Sequence, residues 1–395
     1  MNRSIAILIA GQTVSGLGNW VSFVGLNLYV YEIFGSGKVL GTFLLLRMLP
    51  AVFFGPIGGA LADRLRKRDI LVACDCARAL LILGFLFTRE LWLFYTLGLA
   101  LSALDKVFLA TNGAYIPHLV EKDRLMEANT AGRMSQSLVT ILGPAAGGIL
   151  VAACSYKWVF LIDSLTFVFS VACLLFIPER GEPAPAQDGP PLAEFKLVWV
   201  FFAARAGLAF LTVVRLIDAL GSGVLNAALP VFSRGLSLTR GAAYGWLVAA
   251  WAAGELLGAW STRRLASRLP LRTEALFSLA IGFMALGMGA VYHGIGLPFA
   301  MAAIFLSGIG DGVSNVLYST MLMKESPDAL RGRIFGSNIA LIYSGVAAGM
   351  AVGGLLLDSL PLRRVTDLAS GSIVLGVLAG YVLYSLKRRQ EHAHV

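Results

Sequence analysis

The chain is divided into apolar segments that are each long enough to cross a lipid bilayer as a helix. A hydrocarbon core about 30 Å thick requires about 20 consecutive apolar residues, and about twelve segments meet that length. They lie at 5–33, 39–61, 70–88, 91–117, 126–153, 156–177, 207–233, 241–262, 273–292, 296–322, 333–357 and 365–386. Because unpaired backbone groups are costly in lipid, these segments predict helices. We therefore predict an all-α membrane protein with twelve transmembrane helices.

Composition excludes a soluble protein. Hydrophobic residues make up 57% of the 395 residues and charged residues only 14%, and the mean hydropathy is +0.76. A soluble globule could not hide that much apolar surface, so the lipid bilayer is the expected partner. The net charge of +9 would raise the question of nucleic acid in a soluble protein. Here its distribution predicts a topological origin and no nucleic-acid partner.

Basic residues are concentrated in alternate loops. If the N-terminus lies inside, the inner loops and tail carry Arg64, Arg66, Lys67, Arg68, Lys122, Arg124, Arg263, Arg264, Arg268, Arg272, Lys324, Arg331, Arg333, Lys387, Arg388 and Arg389. The outer loops carry only Lys38, Arg89, Lys157, Arg234, Arg240, Arg363 and Arg364. The positive-inside rule then predicts a multi-pass protein of the cell (cytoplasmic) membrane with both termini in the cytoplasm.

The chain is predicted to consist of two related halves. The spelling S-G-x-x-N occurs at residues 15–19 and again at residues 222–226, and Asp105 and Asp311 recur at nearly the same offset. Six is an even number of spans, so both halves run in the same direction and form a parallel repeat. We predict two pseudo-symmetric six-helix bundles, at 1–178 and 207–395. A proline-rich cytoplasmic linker with an amphipathic surface helix is predicted between them, at 179–206.

Two pairs of oppositely charged residues lie within the third and fourth spans. Asp75 and Arg78 are three residues apart and share a helical face, which predicts a structural ion pair. Asp105 and Lys106 are neighbours that point about 100° apart. We therefore do not expect that second pair to neutralise itself on one face.

Carboxyl groups in apolar spans are candidates for proton binding. A charged side chain at the bilayer centre costs about 3 kcal/mol or more on insertion scales, so each one needs an explanation. Asp218 lies three residues from Arg215, Glu255 stands alone, and Asp311 lies within a glycine-rich stretch whose glycines permit close packing. The proton-coupling candidates are Asp311, Asp105, Asp218 and Glu255. A structural hydrogen bond or local ion pair is the alternative at each position.

The loop after the second span contains a family signature. Residues 59–68 read G-A-L-A-D-R-L-R-K-R, which resembles the G-x-L-A-D-R-x-G-R-R/K loop of the major facilitator superfamily of transporters. Arg66 stands where that family usually has glycine. The resemblance implies the major facilitator fold and a conformational latch in this loop, formed by Gly59, Asp63, Arg64, Lys67 and Arg68. An aspartate at the end of its own helix is also expected to seek a neighbouring helix N-terminus or an arginine.

The fifth span contains a second signature. Gly143, Pro144, Gly147 and Gly148 fit the G-P-x-x-G-G pattern, which resembles the motif of superfamily members that run as antiporters. A proline removes one backbone hydrogen bond, and small residues permit close helix packing. Taken with the loop, this antiporter-type bend favours export.

Longer stretches resemble one branch of that superfamily, the macrolide-efflux-like and enterobactin-exporter-like drug:proton antiporters. These stretches are residues 73–78, 115–120, 124–129 and 328–333. The resemblance covers nearly the whole chain and supports the fold more strongly than the substrate.

Polar and aromatic residues in the spans predict a cavity for an amphipathic organic molecule. The substrate-cavity candidates are Asn19, Trp20, Phe23, Asn112, Asn226, Asn315 and Tyr318. Aromatic faces and amides suit such a molecule, cations included, better than a sugar or a bare ion. Arg47 and Arg133 are the cations available to pair with the acids. We predict a proton-coupled exporter, with a lipid or lysolipid flippase or a siderophore exporter as the alternatives.

The residue types argue against an enzyme. The four histidines form no cluster with acids or cysteines, and no nucleophile elbow or complete phosphate loop is present. We expect no catalytic residues, no metal and no cofactor. Protons and a small molecule are the expected partners, and a monomer suffices for this architecture.

Overall fold

The computed structural model describes residues 3–51, 53–54, 61, 64–120, 124–178, 206–236, 242–269, 271–294, 296–326 and 331–393. Within these ranges the chain forms twelve α-helices and no strand. We number them α1 Arg3–Phe34, α2 Gly37–Met48, α3 Lys67–Gly84, α4 Leu91–Leu119, α5 Leu125–Ala153, α6 Tyr156–Leu175, α7 Ala206–Gly235, α8 Ala242–Arg268, α9 Thr273–Val291, α10 Leu297–Glu325, α11 Arg331–Ser359 and α12 Leu362–Ala393. The predicted fold class is confirmed.

Nine of the described helices are long and apolar enough to cross a membrane: α1, α4, α5, α6, α7, α9, α10, α11 and α12. Large apolar side chains point outward along them, and Leu375 and Leu383 of α12 are 67% and 68% exposed. A monomeric soluble protein rarely exposes so much apolar surface, whereas lipid covers it without cost. The chain is therefore a multi-pass membrane protein.

Local sequence explains where α1 ends and α2 begins. Gly35 has a φ of +63°, a left-handed conformation that glycine adopts at little cost, and it follows the last residue of α1. Ser36 then caps α2, because its hydroxyl accepts a hydrogen bond of 3.2 Å from the backbone N–H of Val39. A tight turn of two residues therefore joins α1 to α2.

The described residues divide into two compact units. The first contains Met1–Asp188 and Ser233–Ala249, and the second contains Gly189–Phe232 and Ala250–Val395. The predicted boundaries at 178 and 207 remain a prediction. The predicted linker at 179–206 lies outside the described residues except for Ala206, the first residue of α7.

Each unit has its own packing. In the first, α1 packs on α5 and α6, α3 packs on α4 and α6, and α2 packs on α4. Buried aromatic rings join these helices, among them Phe43, Phe85, Phe94 and Phe160. In the second unit, α9 packs on α10 and α12. These packed helices hold the polar groups described next.

Candidate functional site

A buried arginine in α7 joins acidic and amide groups from two helices of the second unit. Arg215 Nη1 lies 2.8 Å from Asp218 Oδ2 on its own helix and 3.3 Å from Asp311 Oδ1 on α10. Its Nη2 donates to the Asn315 side-chain oxygen. A guanidinium can contact all three side chains at once, because it presents several donors in one plane.

Glu255 of α8 joins the same group through an amide. The Nδ2 atom of Asn315 donates to Glu255 Oε1 at 3.4 Å and to Asp311 Oδ1 at 3.2 Å. We name Arg215, Asp218, Glu255, Asp311 and Asn315 the Arg215 cluster. Three of the four predicted proton-coupling candidates therefore lie in one connected network.

Small residues bring α8 and α10 close enough to build the Arg215 cluster. A Cβ atom added at Gly254 or Gly258 of α8 would overlap the backbone of α10, and one added at Gly308 or Gly312 would overlap the backbone of α8. At Gly312 the overlapping atom is the carbonyl oxygen of Glu255. The prediction that the glycines around Asp311 permit close packing is confirmed.

The charges within the Arg215 cluster do not cancel. Asp218, Glu255 and Asp311 can carry three negative charges, whereas Arg215 supplies one positive charge. An excess of buried negative charge is costly, and protonation of a carboxyl group removes it. The arrangement is therefore chemically suited to take up and release protons.

A second arginine occupies a similar place in the first unit. Arg78 donates to Asp75 on its own helix, and its Nη1 lies 3.2 Å from Asp105 Oδ1 on α4. Lys106 Nζ lies 3.2 Å from Asp105 Oδ2. We name Asp75, Arg78, Asp105 and Lys106 the Arg78 cluster. Its two acids and two cations balance, unlike those of the Arg215 cluster.

The contact between Asp105 and Lys106 corrects one expectation. Their Cα–Cβ bonds diverge, but the four-carbon stem of lysine lets its ammonium group reach back to the neighbouring carboxylate. Arg78 is also held between two aromatic rings, with its guanidinium carbon 4.3 Å from the Phe108 centroid and 4.6 Å from the Phe167 centroid. This arginine is fully packed.

Two buried charged residues, Arg215 and Asp163, were not among the candidates predicted from the sequence. Arg215 was considered only as a local partner of Asp218, and its contact with α10 depends on tertiary packing. Asp163 of α6 was not considered, although an acid within an apolar segment is itself a signal. It is fully buried, accepts a hydrogen bond from the Ser22 hydroxyl and lies 3.4 Å from Thr166 Oγ1.

Four of the seven cavity candidates lie in the first unit. Trp20 and Phe23 are half-buried, with their rings edge to face and their centroids 5.4 Å apart. Asn19 is half-buried on the same helix. Asn112 of α4 accepts a hydrogen bond from the Gln12 side chain.

The other three candidates lie in the second unit. Asn315 belongs to the Arg215 cluster, whereas Tyr318 is buried and donates to the Asn338 side chain. Asn226 is exposed and donates to the backbone of Ser222 at 2.8 Å. The structure therefore places these three side chains in different environments.

Two of the predicted latch residues, Gly59 and Asp63, lie outside the described residues. Arg64 is exposed, and Lys67 is half-buried at the start of α3. Arg68 Nη1 donates to the carbonyl of Ile177 at 3.4 Å. This contact ties the start of α3 to the residues that follow α6.

The glycines of the predicted bend in α5 lie in close contact with neighbouring helices. Gly143 faces Trp20 and Gly147 faces Val21, both on α1. Gly148 faces Gly245, and a Cβ at either position would overlap the other helix backbone. Pro144 lies between them inside the helix, which nevertheless continues to Ala153. Small residues here allow α5 to approach two neighbours at backbone distance.

Comparison with known proteins agrees with this architecture. The family model described as Major Facilitator Superfamily matches residues 8–350 and 211–394. The uncharacterized MFS-type transporter YfiS of Bacillus subtilis (strain 168) is 28% identical over 380 residues, covering 90% of this chain and 87% of that protein. The enterobactin exporter EntS of Escherichia coli O127:H6 (strain E2348/69 / EPEC) is 29% identical over 353 residues, covering 86% and 82%.

Solved structures share the fold at low sequence identity. A point mutant of the nucleoside transporter NupG superposes with a TM-score of 0.80 at 15% identity, covering 96% of this chain and 98% of that one. A bacterial homologue of the iron transporter ferroportin, in an inward-facing state, gives 0.73 at 15% identity, covering 97% and 98%. Likeness at this identity concerns the fold alone.

Proposed function

Because the chain belongs to the Major Facilitator Superfamily, we propose that it is a proton-coupled exporter that exchanges protons for amphipathic organic compounds, macrolide-like drugs included, by alternating access. Membership of this family makes it a membrane transporter of small molecules and not an enzyme. Proton coupling, the direction of transport and the substrate class belong to the proposal.

The observation that carries the proposal is the charge imbalance of the Arg215 cluster. Asp218 and Asp311 share one guanidinium, and Glu255 reaches the network only through the Asn315 amide. When one of these carboxyls takes up a proton, the negative charge of the cluster falls by one. Arg215 can then interact more strongly with a carboxylate that is still ionised. Such a network has more than one internal arrangement, which is the requirement for coupling protonation to a conformational change.

The Arg78 cluster has a different role in the proposal. Its charges balance, and Arg78 is clamped between Phe108 and Phe167. Because its charges balance and its arginine is tightly packed, this network gains little from taking up a proton, so we assign it to the rigid frame of the first unit. Proton coupling is therefore assigned to the second unit, with Asp105 kept as a subsidiary candidate.

Two sequence features support export and its direction. The G-P-x-x-G-G stretch of α5 matches the antiporter-type signature, and the basic loops predict that both termini are cytoplasmic. An inwardly directed proton gradient would then drive the substrate out of the cell. The residue 59–68 loop is assigned the role of a latch between conformational states.

The test is transport in liposomes with an imposed pH gradient. An exchanger should accumulate substrate in an acidic lumen, because protons leave as substrate enters. The panel consists of a macrolide, a permanently charged lipophilic cation and a catecholate siderophore. We expect Asp311→Asn to reduce gradient-driven accumulation by at least about tenfold, which corresponds to about 1.4 kcal/mol of lost coupling. Exchange without a gradient should persist.

The matched control is Asp367→Asn. Asp367 also pairs with a basic side chain, since its Oδ1 lies 2.6 Å from His293 Nε2, but its side chain is 52% exposed. We expect this variant to transport as the wild type does. If no member of the panel responds to the gradient, in wild type and Asp311→Asn alike, proton coupling is wrong.

A siderophore exporter is the second candidate, because the relative EntS is an enterobactin exporter. Selective accumulation of the catecholate over the macrolide would favour it. A lipid or lysolipid flippase is distinguished by activity that persists after the proton gradient has been collapsed.

A further inference from the structure

Arg47, in the second span, lacks the carboxylate contacts that the buried arginines Arg78 and Arg215 have. Arg47 of α2 places its guanidinium carbon 5.2 Å from the Phe23 ring centroid and 5.9 Å from the Phe43 centroid. Its Nη1 atom is buried, and among the described residues it has no hydrogen-bond partner. In contrast, Arg78 and Arg215 each contact two carboxylates.

The acids that act on Arg47 electrostatically are already engaged elsewhere. Asp105 of α4 is held by Arg78 and Lys106, each at 3.2 Å. Asp163 of α6 accepts hydrogen bonds from Ser22 and Thr166. Within the part of the chain that the structure describes, neither carboxylate forms an ion pair with Arg47.

The remaining neighbour in electrostatic range is a neutral group. The Tyr244 hydroxyl of α8, which belongs to the first unit, receives a hydrogen bond of 3.1 Å from the Asn27 amide. The Asn27 side-chain oxygen is itself buried and, among the described residues, unpartnered. Among the described residues of the first unit, Arg47 Nη1 therefore lacks an acceptor and Asn27 Oδ1 lacks a donor.

An unpaired guanidinium nitrogen out of water is unfavourable by several kcal/mol, so a side chain held in this way needs either a partner or a function. The backbone of Arg47 is fixed as well, because its carbonyl accepts a hydrogen bond from the Ser102 hydroxyl of α4. The Phe23 ring lies beside the guanidinium, and the Trp20 ring packs edge to face against Phe23. A planar anion attached to an aromatic group would satisfy the donor and pack against the rings.

We propose that Arg47 binds the carboxylate of an amphipathic aromatic substrate, with Phe23 and Trp20 packing against its ring. This inference rests on the proposed function and narrows its substrate class to aromatic organic acids. It separates the two units chemically: the first recognises the anionic group of the substrate, and the acid-rich Arg215 cluster of the second handles protons.

The test compares acids with their esters, which keep the ring and lose the charge. Naphthaleneacetic acid, indoleacetic acid and the methyl ester of each are titrated into the detergent-purified full-length protein, and binding is measured from the shift in thermal unfolding. We expect each acid to bind at least about tenfold more tightly than its ester. Arg47→Gln should abolish that preference, and Arg47→Lys, which keeps the charge and loses the fork, should reduce it.

The control is Arg363→Gln, which removes an exposed arginine at the start of α12 and should leave the preference unchanged. Size-exclusion chromatography shows whether each variant folds. If Arg47→Gln does not fold, the wild type and Arg47→Lys decide the question, since equal preference in both contradicts the carboxylate fork. Equal binding of acids and esters by the wild type, or a preference that survives in Arg47→Gln, overturns the inference.

The same compounds separate this inference from the proposed function. Liposomes that show Asp311-dependent, gradient-driven flux with no acid preference would leave the proposed function standing and refute the role of Arg47. An acid preference in binding that is lost in Arg47→Gln, with no gradient-driven flux of any compound, would support the Arg47 site and refute proton-coupled export.

Discussion

The Nη1 atom of Arg215 lies 3.3 Å from Oδ1 of Asp311, although 96 residues separate them in the chain. Arg215 also contacts Asp218 at 2.8 Å, so one guanidinium is shared between α7 and α10. A buried cluster with fewer cations than acids loses an unfavourable excess of negative charge when one acid takes up a proton. A charge-balanced cluster has no such excess to lose. This relationship is the basis for assigning proton coupling to the second unit.

Removing Arg215 should leave one buried and two half-buried carboxyl groups without a cation. We expect Arg215→Gln to lower the free energy of unfolding by about 3 to 5 kcal/mol, the usual cost of breaking a buried ion pair. Adding Asp311→Asn should restore part of that loss, since it removes one uncompensated charge. Thermal unfolding of the two single variants and the double variant in detergent measures the coupling. Strict additivity of the two effects would contradict the contact.

Arg78→Lys tests whether geometry as well as charge matters in the Arg78 cluster. Lysine keeps the charge but loses the fork that reaches Asp75 and Asp105, and it loses the contact with the Phe108 and Phe167 rings. We expect destabilisation of about 2 to 4 kcal/mol. Lys106→Gln, at a more exposed position, should cost about 1 kcal/mol or less. Equal effects of the two substitutions would argue against the special role of Arg78.

The close approach of α8 and α10 predicts a strong effect of one methyl group. A Cβ at Gly312 overlaps the Glu255 carbonyl oxygen, so Gly312→Ala must push the helices apart and weaken the Arg215 cluster. We expect a lower melting temperature and reduced gradient-driven transport. Gly371→Ala on α12 is the control, because a Cβ there meets nothing within 4 Å and alanine favours the helix. A wild-type melting curve for Gly312→Ala would show that α8 and α10 do not pack at backbone distance at this position.

Asp163 should tolerate loss of charge better than loss of its hydrogen-bond acceptor. The Ser22 and Thr166 hydroxyls donate to different oxygens of Asp163. Asn keeps one acceptor oxygen for one of them and can donate from its amide nitrogen to the other hydroxyl oxygen, whereas Leu offers neither contact. We expect Asp163→Leu to destabilise the protein by about 1 to 3 kcal/mol more than Asp163→Asn does. The measurement is thermal unfolding of both variants in the same detergent. The reverse order would indicate that the negative charge itself stabilises the first unit.

The basic loops predict which side of the membrane each connection faces. In a cysteine-free background, Arg89→Cys should react with a membrane-impermeant maleimide added to intact cells, and Ser267→Cys should react only after the membrane is permeabilised. Arg89 lies between α3 and α4, and Ser267 lies near the end of α8. Labelling of both positions in intact cells, or of neither, would contradict the predicted topology.

The helices were predictable because the membrane imposes a length on each of them. Predicted segments such as 91–117 and 273–292 differ from the observed helices Leu91–Leu119 and Thr273–Val291 by no more than two residues at either end. Intramembrane charges such as Asp311 and Glu255 were also visible in the sequence, because charged residues are rare in apolar spans. Asp163 satisfies the same criterion and could have been found in this way.

The partners of these charges were less predictable. Spacing of three residues indicates Asp75 with Arg78 and Asp218 with Arg215, because such neighbours share a helical face. It gives no information on contacts between helices. The link from Asp105 to Arg78, the link from Asp311 to Arg215, and the bridge from Asn315 to Glu255 depend on which helix surfaces meet. The isolation of Arg47 is likewise invisible in the sequence.

The amino-acid sequence by itself determined that the chain forms membrane-spanning helices, since a long apolar segment in lipid must satisfy its own backbone hydrogen bonds. It also determined which side chains would be costly in that environment. Only the tertiary structure decided how those costs are met, because pairing among buried charges depends on distances of a few ångströms between helices far apart in the chain. Arg78 is thereby neutralised, and Arg215 is outnumbered by acids. Arg47 keeps an Nη1 donor that forms no hydrogen bond with any described residue.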